Sequence, residues 1–172
     1  MSRIPVIAGN WKMFGTVSET RSLLRGLRPL VEQTSGREVI VAPPFTALHA
    51  AAEELRGSRI VLAAQNVHWE TKGAFTGEVS GAMLLEIGCR GVLIGHSERR
   101  QLFGETDEGV NRRTRAALRA GLRPIVCVGE TLAEREAGAT LAVVERQTRG
   151  ALLELGPADI RNACIAYEPV WA

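Results

Sequence analysis

Six short runs of aliphatic and β-branched residues recur along the chain, and longer segments of a different period separate them. They are Val6 to Gly9, Val39 to Ala42, Ile60 to Val67, Val92 to Gly95, Ile125 to Val128 and Ala163 to Tyr167. Each is apolar nearly throughout instead of alternating with polar residues, as strands of a parallel sheet covered on both faces must be. Between the runs the period turns helical. Val17, Thr20, Leu23, Leu24, Leu27 and Leu30 form one stripe that recurs every three or four residues. Thr16-x-x-Glu19 and Thr131-x-x-Glu134 read as capping boxes, in which two side chains satisfy N–H groups orphaned at a helix start. Gly121 and the Gly156-Pro157 pair are expected to mark helix ends. The predicted order is β-α repeated five times and then a sixth strand, with right-handed crossovers between parallel neighbours.

Bulk properties narrow the function classes. A chain of 172 residues predicts a single domain, residues 1–172, with a core of its own. Hydrophobic residues at 45% with 23% charged exclude disordered and fibrous classes. The 21 basic residues are dispersed among 19 acidic ones for a net charge of +2, so no nucleic-acid footprint is present. The densest basic stretch, Arg112, Arg113, Arg115 and Arg119, has helical spacing and reads as a solvated face. Cys89, Cys127 and Cys164 are odd in number and widely spaced, which predicts reduced thiols in a reducing cytosol. The first residues lack an apolar signal core and no stretch reaches 18 apolar residues, so a soluble, cytoplasmic protein without membrane contact is expected. His49, His68 and His96 lie far apart and no cysteine pair has ligand spacing, so no metal or other cofactor is expected.

Two architectures accommodate the repeat, a doubly wound open sheet or a barrel. An open nucleotide-binding sheet would carry a glycine fingerprint after its first strand, where this chain reads Gly9-Asn10-Trp11-Lys12-Met13. Polar residues instead gather at the strand ends: Asn10 and Lys12, Gln65 and Asn66, His96 and Glu98, Glu130, and Glu168. Such groups are costly within a barrel and useful at its C-terminal mouth, where one composite site can be assembled. Asn10 and Lys12, two apart in an extended segment, would project to the same side. His96 precedes Ser97-Glu98-Arg99-Arg100, which can open a helix whose N-terminus favours a neutral, hydrogen-bonding imidazole. Pro169 restricts Glu168 to extended geometry, a fixed position from which a carboxylate can act as a base. Read singly, each of these could equally be an ordinary surface residue at a strand end.

Together they are specific. Ala8-Gly-Asn-Trp-Lys-Met13, Ile94-Gly-His-Ser-Glu-Arg-Arg100, Cys127-Val-Gly-Glu130 and Ala166-Tyr-Glu-Pro-Val-Trp-Ala172 closely resemble the signatures of the triosephosphate isomerase family, in the family's order. Gln65-Asn66-Val67 and Phe75-Thr-Gly-Glu78 extend the resemblance over the whole chain. It implies an α/β fold, the (β/α)8 TIM barrel, of which this chain supplies about the first six βα units. It implies isomerisation of dihydroxyacetone phosphate and glyceraldehyde 3-phosphate, with Glu168 as the catalytic base, His96 as electrophile, Lys12 supplying charge to the substrate and Asn10 positioning it. Glu98 is expected to pair with Lys12. The segment from His68 to Ser80 is expected to join a homodimer and to carry Thr76 to the partner's site. A whole barrel takes roughly 250 residues, so the chain reads as C-terminally incomplete, with the first and sixth strands as open edges. Two other readings stay in play: an inactive fragment serving as a scaffold or needing a complementing chain, and, since fold alone does not fix chemistry, another sugar-phosphate enzyme on the same fold.

Overall fold

Strands that are apolar on both faces need cover on both, and short βα connections bring sequential neighbours side by side. The computed structural model describes residues 4–171, so Ala172, the last residue of the fourth motif, lies outside the described residues. In order it contains β1 (Val6–Asn10), α1 (Val17–Glu32), β2 (Glu38–Ala42), a 3₁₀ turn (Phe45–Ala47), α2 (Leu48–Glu54), β3 (Val61–Ala64), α3 (Gly81–Glu86), β4 (Gly91–Ile94), α4 (Ser97–Leu102), α5 (Asp107–Ala120), β5 (Arg123–Val128), α6 (Leu132–Glu136), α7 (Thr140–Ala151), α8 (Pro157–Arg161) and β6 (Cys164–Tyr167). The strands pair in parallel in the order β1-β2-β3-β4-β5-β6, a curled sheet with the topology of a (β/α) barrel.

The six expected strands are present, with altered limits. The third is shorter than Ile60 to Val67 because the chain leaves the sheet after Ala64, and Gln65 and Asn66 lie on the following loop. Both capping boxes form: the Glu19 N–H donates to Thr16 Oγ1 and the Thr16 N–H to Glu19 Oε2, and Thr131 and Glu134 repeat the exchange. Gly121 ends α5 in the left-handed region at φ 86°, as expected. Gly156-Pro157 does not end a helix. The preceding helix stops at Ala151, and the pair opens α8 with Pro157 in its first turn, where a missing N–H costs nothing and the fixed φ is already helical.

Side-chain alternation divides the apolar residues between two layers. Ile40, Ala42, Ala63, Leu93 and Ile125 fill the concave side of the curl. Their neighbours Val41, Leu62, Ala64, Val92, Ile94, Val126 and Val128 point outward against Leu24, Leu48, Leu84, Val110 and Ala117 of the helical layer. The edges are less covered: Ile7 on β1 is 55% exposed and Tyr167 on β6 is 51% exposed. Near the N-terminal ends of the strands, Arg123 of β5 donates to Glu38 of β2 at 2.5 Å, tying two strands that are not neighbours. No helix among the described residues is long and apolar enough to cross a membrane.

The three cysteines are free, and two are buried within these layers. Burial pushes the Cys89 and Cys127 thiols up to about 12, so neither supplies thiolate near neutral pH. Titration of the folded protein with an aromatic disulfide reagent at pH 8 is expected to modify one thiol per chain, the half-exposed Cys164, with the other two reacting only on denaturation. Rapid reaction of all three thiols in the folded state would contradict this burial.

Candidate active site

Strand parity decides which side chains reach the concave side. Ala8 pairs with Ile40 and Asn10 with Ala42, so Asn10 faces inward with them. The same register carries Cys127 and Ala166 inward, and Glu168 follows two residues later. His96 would be out of phase, since Leu93 faces in. Gly95 corrects this with φ 69°, and a Cβ at that position would stand 2.7 Å from Val110. Asn10, Lys12, His96 and Glu168 thereby line one cleft of about 270 Å³, floored by Ile40, Leu93 and Ile125.

Lys12 does not arrive there as expected. β1 ends at Asn10, and Lys12 adopts a left-handed φ of 51°, rare for a residue with a side chain. Its backbone is held from both sides. Asn10 Oδ1 accepts the Lys12 N–H at 2.9 Å, and Gln65 Nε2 donates to the Lys12 carbonyl and to the Ala42 carbonyl, both at 2.8 Å. The short polar side chain of Asn10 competes for the backbone and turns it, so the two residues share a site through a turn instead of an extended segment. Lys12 Nζ lies 2.9 Å from Glu98 Oε1, the pairing expected from sequence, and this contact raises the lysine pKa above its ordinary value.

His96 caps α4. Its Nδ1 accepts the Glu98 N–H at 3.2 Å, while the Glu98 carboxylate, 3.5 Å from the same nitrogen, is turned toward Lys12. With Nδ1 occupied as an acceptor, the ring proton resides on Nε2. Nε2 stands 2.8 Å from Glu168 Oε1, which also accepts from Ser97 Oγ at 3.0 Å. Burial works to raise the Glu168 pKa, but the donors from His96 and Ser97 outweigh it and hold the carboxyl below its ordinary value. The site thus presents an ionised carboxylate, an imidazole whose Nε2 is directed at it, and a charged ammonium. That set can take a proton from carbon, donate to an oxygen and bind an anion.

Of the other polar residues at the strand ends, Gln65, Asn66 and Glu98 line an adjoining recess of about 210 Å³ that opens on Lys12 and His96. Glu130 does not line the cleft. It turns outward with no solvent exposure, and accepts from Tyr167 Oη at 3.0 Å and Trp171 Nε1 at 3.1 Å, with Arg135 at 3.4 Å. Burial acts to raise its pKa, yet these donors prevail and hold it at about 2. A depressed carboxyl stabilises the fold above its unfolded value, near 4.5, and that stabilisation is lost as pH falls toward 2. Thermal unfolding of Glu130→Gln is therefore expected to fall less steeply than wild type between those two values. Parallel curves for the two proteins would refute the assignment.

Sequence reasoning gave no role to Ser97, though it stands inside a quoted motif, and passed over Gln147 entirely. Gln147 is buried on α7 and clasps Gly129, accepting its N–H at 2.8 Å and donating to its carbonyl at 3.3 Å. No sequence signal marks it, because one glutamine in an amphipathic helix looks like a surface residue.

Comparison with known proteins matches this geometry to a family. The family profile described as triosephosphate isomerase matches residues 5–172. Triosephosphate isomerase of Moorella thermoacetica is 59% identical over 170 residues, covering 99% of this chain and 68% of the relative. That of Chloroflexus aurantiacus is 58% identical with the same coverage. The crystal structure of triosephosphate isomerase from Bartonella henselae superimposes with a TM-score of 0.91 at 43% identity, over 99% of this chain and 70% of that one. With the curled parallel sheet, the inward carboxylate–imidazole pair and an identity near 60% in agreement, the chain belongs to the triosephosphate isomerase family.

Proposed function

We propose that Glu168 and His96 carry out the isomerisation of dihydroxyacetone phosphate and D-glyceraldehyde 3-phosphate, with Lys12 and Asn10 completing the substrate site. The observation that carries this reading is the 2.8 Å contact between Glu168 Oε1 and the Nε2 of His96, in a cleft also lined by Lys12. A proton next to a ketone is weakly acidic, and its removal needs both a placed base and stabilisation of the enediolate oxygen. Substrate entering between Glu168 and His96 would take the imidazole N–H onto its carbonyl oxygen. The freed carboxylate then removes the carbon-bound proton and returns it to the adjacent carbon, while His96 Nε2 gives its proton to the former carbonyl oxygen and takes the one on the neighbouring hydroxyl, leaving an aldehyde and an unchanged imidazole. No redox equivalent enters or leaves. Lys12, held in its left-handed turn by Asn10 and Gln65, directs its ammonium at the substrate's charge.

The working unit is a homodimer of single-domain chains in the cytoplasm. Supporting the dimer are the exposed tip of the 68–80 loop, residues 71 to 78 including Thr76, and an exposed apolar surface beside the mouth. Met13 at 93% and Phe103 at 67% exposure, with Phe45 lining the same recess, form a surface of the kind that associates. Free cysteines agree with a reducing compartment. The test is a coupled assay of glyceraldehyde 3-phosphate turnover by the purified chain, with light scattering to give its mass in solution. Turnover at twice 18.6 kDa is expected. A folded protein without turnover would overturn the reading that this chain suffices for the reaction, and a mass of one chain would overturn the dimer.

A further inference from the structure

At the level of Gly129 the sheet has a neighbour on one side only. β5 pairs with β4 as far as Ile94 and Val126. On the other side the ladder continues past β6, since the Glu168 N–H donates to the Val128 carbonyl at 2.7 Å and the Val170 N–H to the Glu130 carbonyl at 3.0 Å. In a parallel sheet alternate residues bond to alternate sides, so Gly129 turns its N–H and carbonyl away from β6, toward a place where no strand remains. Gln147 occupies that place. Its side-chain amide has the same donor and acceptor as a peptide group, and it pairs with both backbone groups of Gly129, at 2.8 and 3.3 Å.

The opposite face of Gly129 bears on Glu168. A Cβ at position 129 would stand 1.9 Å from the Glu168 carbonyl oxygen and 2.6 Å from its carbonyl carbon, so the two backbones are in direct contact. A shift of Gly129 is therefore a shift of Glu168, whose carboxylate must meet His96 Nε2 and Ser97 Oγ at 2.8 and 3.0 Å. We propose that Gln147 is a positioning residue for Glu168: its amide replaces the strand that ends at Ile94, fixes Gly129, and through Gly129 sets where the carboxylate lies against His96 and Ser97. This rests on the reading of Glu168 as the base. Gln147 touches no reacting atom, and its effect passes through the backbone.

The test compares Gln147→Leu, Gln147→Glu and, as a stability control, Val143→Ala, which removes buried volume from the same helix without touching Gly129. Two readouts are taken on the full chain: turnover of glyceraldehyde 3-phosphate, and the carbon-13 titration of the Glu168 carboxyl by NMR. Because misplacement of a reacting group by 1 Å costs roughly 100-fold, Gln147→Leu is expected to lower kcat about tenfold. KM should stay within about twofold, since Lys12 and Asn10 are untouched. Its Glu168 midpoint should rise toward the ordinary carboxylate value as contacts to His96 and Ser97 loosen. Gln147→Glu, which keeps the acceptor for the Gly129 N–H, should lie between it and wild type, and is read in the same way if the leucine variant does not fold. Val143→Ala should move neither readout. Gln147→Leu matching Val143→Ala in both would overturn the proposal. Glu168→Ala still active would overturn the reading of Glu168 as base, and a folded wild-type chain without turnover would overturn only the reading that this chain suffices. The titration alone would then decide the positioning role, an unshifted midpoint in Gln147→Leu overturning it.

Discussion

Glu168→Gln is expected to reduce isomerase turnover by roughly 10² to 10⁴-fold, the usual contribution of a positioned proton-transfer group. The substitution keeps the shape of the side chain. Its amide oxygen can still accept from Ser97 and from His96 Nε2, the two donors that hold the carboxylate at 3.0 and 2.8 Å, so the fold loses little. What it removes is basicity, because an amide does not take a proton from carbon. Steady-state kinetics beside thermal unfolding check the prediction. Loss of turnover at an unchanged melting temperature assigns the effect to chemistry, whereas turnover within threefold of wild type would exclude Glu168 as the base. The depressed pKa of Glu168 adds a sign: the carboxyl is already ionised well below neutrality, so the residual activity of the variant should carry no new ionisation near pH 7.

Gly129→Ala is expected to cost roughly 100-fold in kcat, through a displacement of Glu168 on the scale of an ångström. The added methyl would lie 1.9 Å from the Glu168 carbonyl oxygen and 3.1 Å from the Pro169 nitrogen, both backbone atoms with no rotamer to relieve the contact. Either β5 or the segment after β6 must move. Overpacking of this kind also costs about 1–3 kcal/mol of stability, so the melting temperature should fall as well. Gly26→Ala separates the site-specific effect from a general one. Gly26 lies on the exposed side of α1 with no atom within 4 Å of an added Cβ, so alanine there is expected to stabilise by about 0.5–1 kcal/mol and to leave turnover unchanged. Wild-type kcat in Gly129→Ala would show that the backbone contact does not constrain the base.

The strands, their order and the parallel sheet were legible from the apolar runs, because residues covered on both faces leave a continuous signal. The limits were less so. Ile60 to Val67 reads as one run, yet only Val61–Ala64 pair, since hydrophobicity reports burial and Val67 is buried beyond the end of the strand. Gly156-Pro157 was misplaced because the same two residues punctuate a helix at either end. Of the residues that line the cleft, Asn10, Lys12, His96 and Glu168 had been singled out at the strand ends, and the Lys12–Glu98 contact was expected. The conformation that joins the first two was not. The left-handed lysine is turned by Asn10 and held from its other side by the amide of Gln65, more than fifty residues along the chain, and sequence spacing carries no trace of that second contact. Gln147 was invisible for the same reason, its partner being a backbone.

Because every strand lies beside its predecessor in the chain, each pairing closes a loop of only a few tens of residues, and closure entropy grows slowly with loop length. The sheet can therefore be laid down in the order in which the ribosome delivers it, each βα unit docking on a template already formed. The Glu38–Arg123 pair is a contact of another kind. It spans 85 residues and closes only once β5 has arrived, so it acts as a latch on the curl and takes no part in nucleating it.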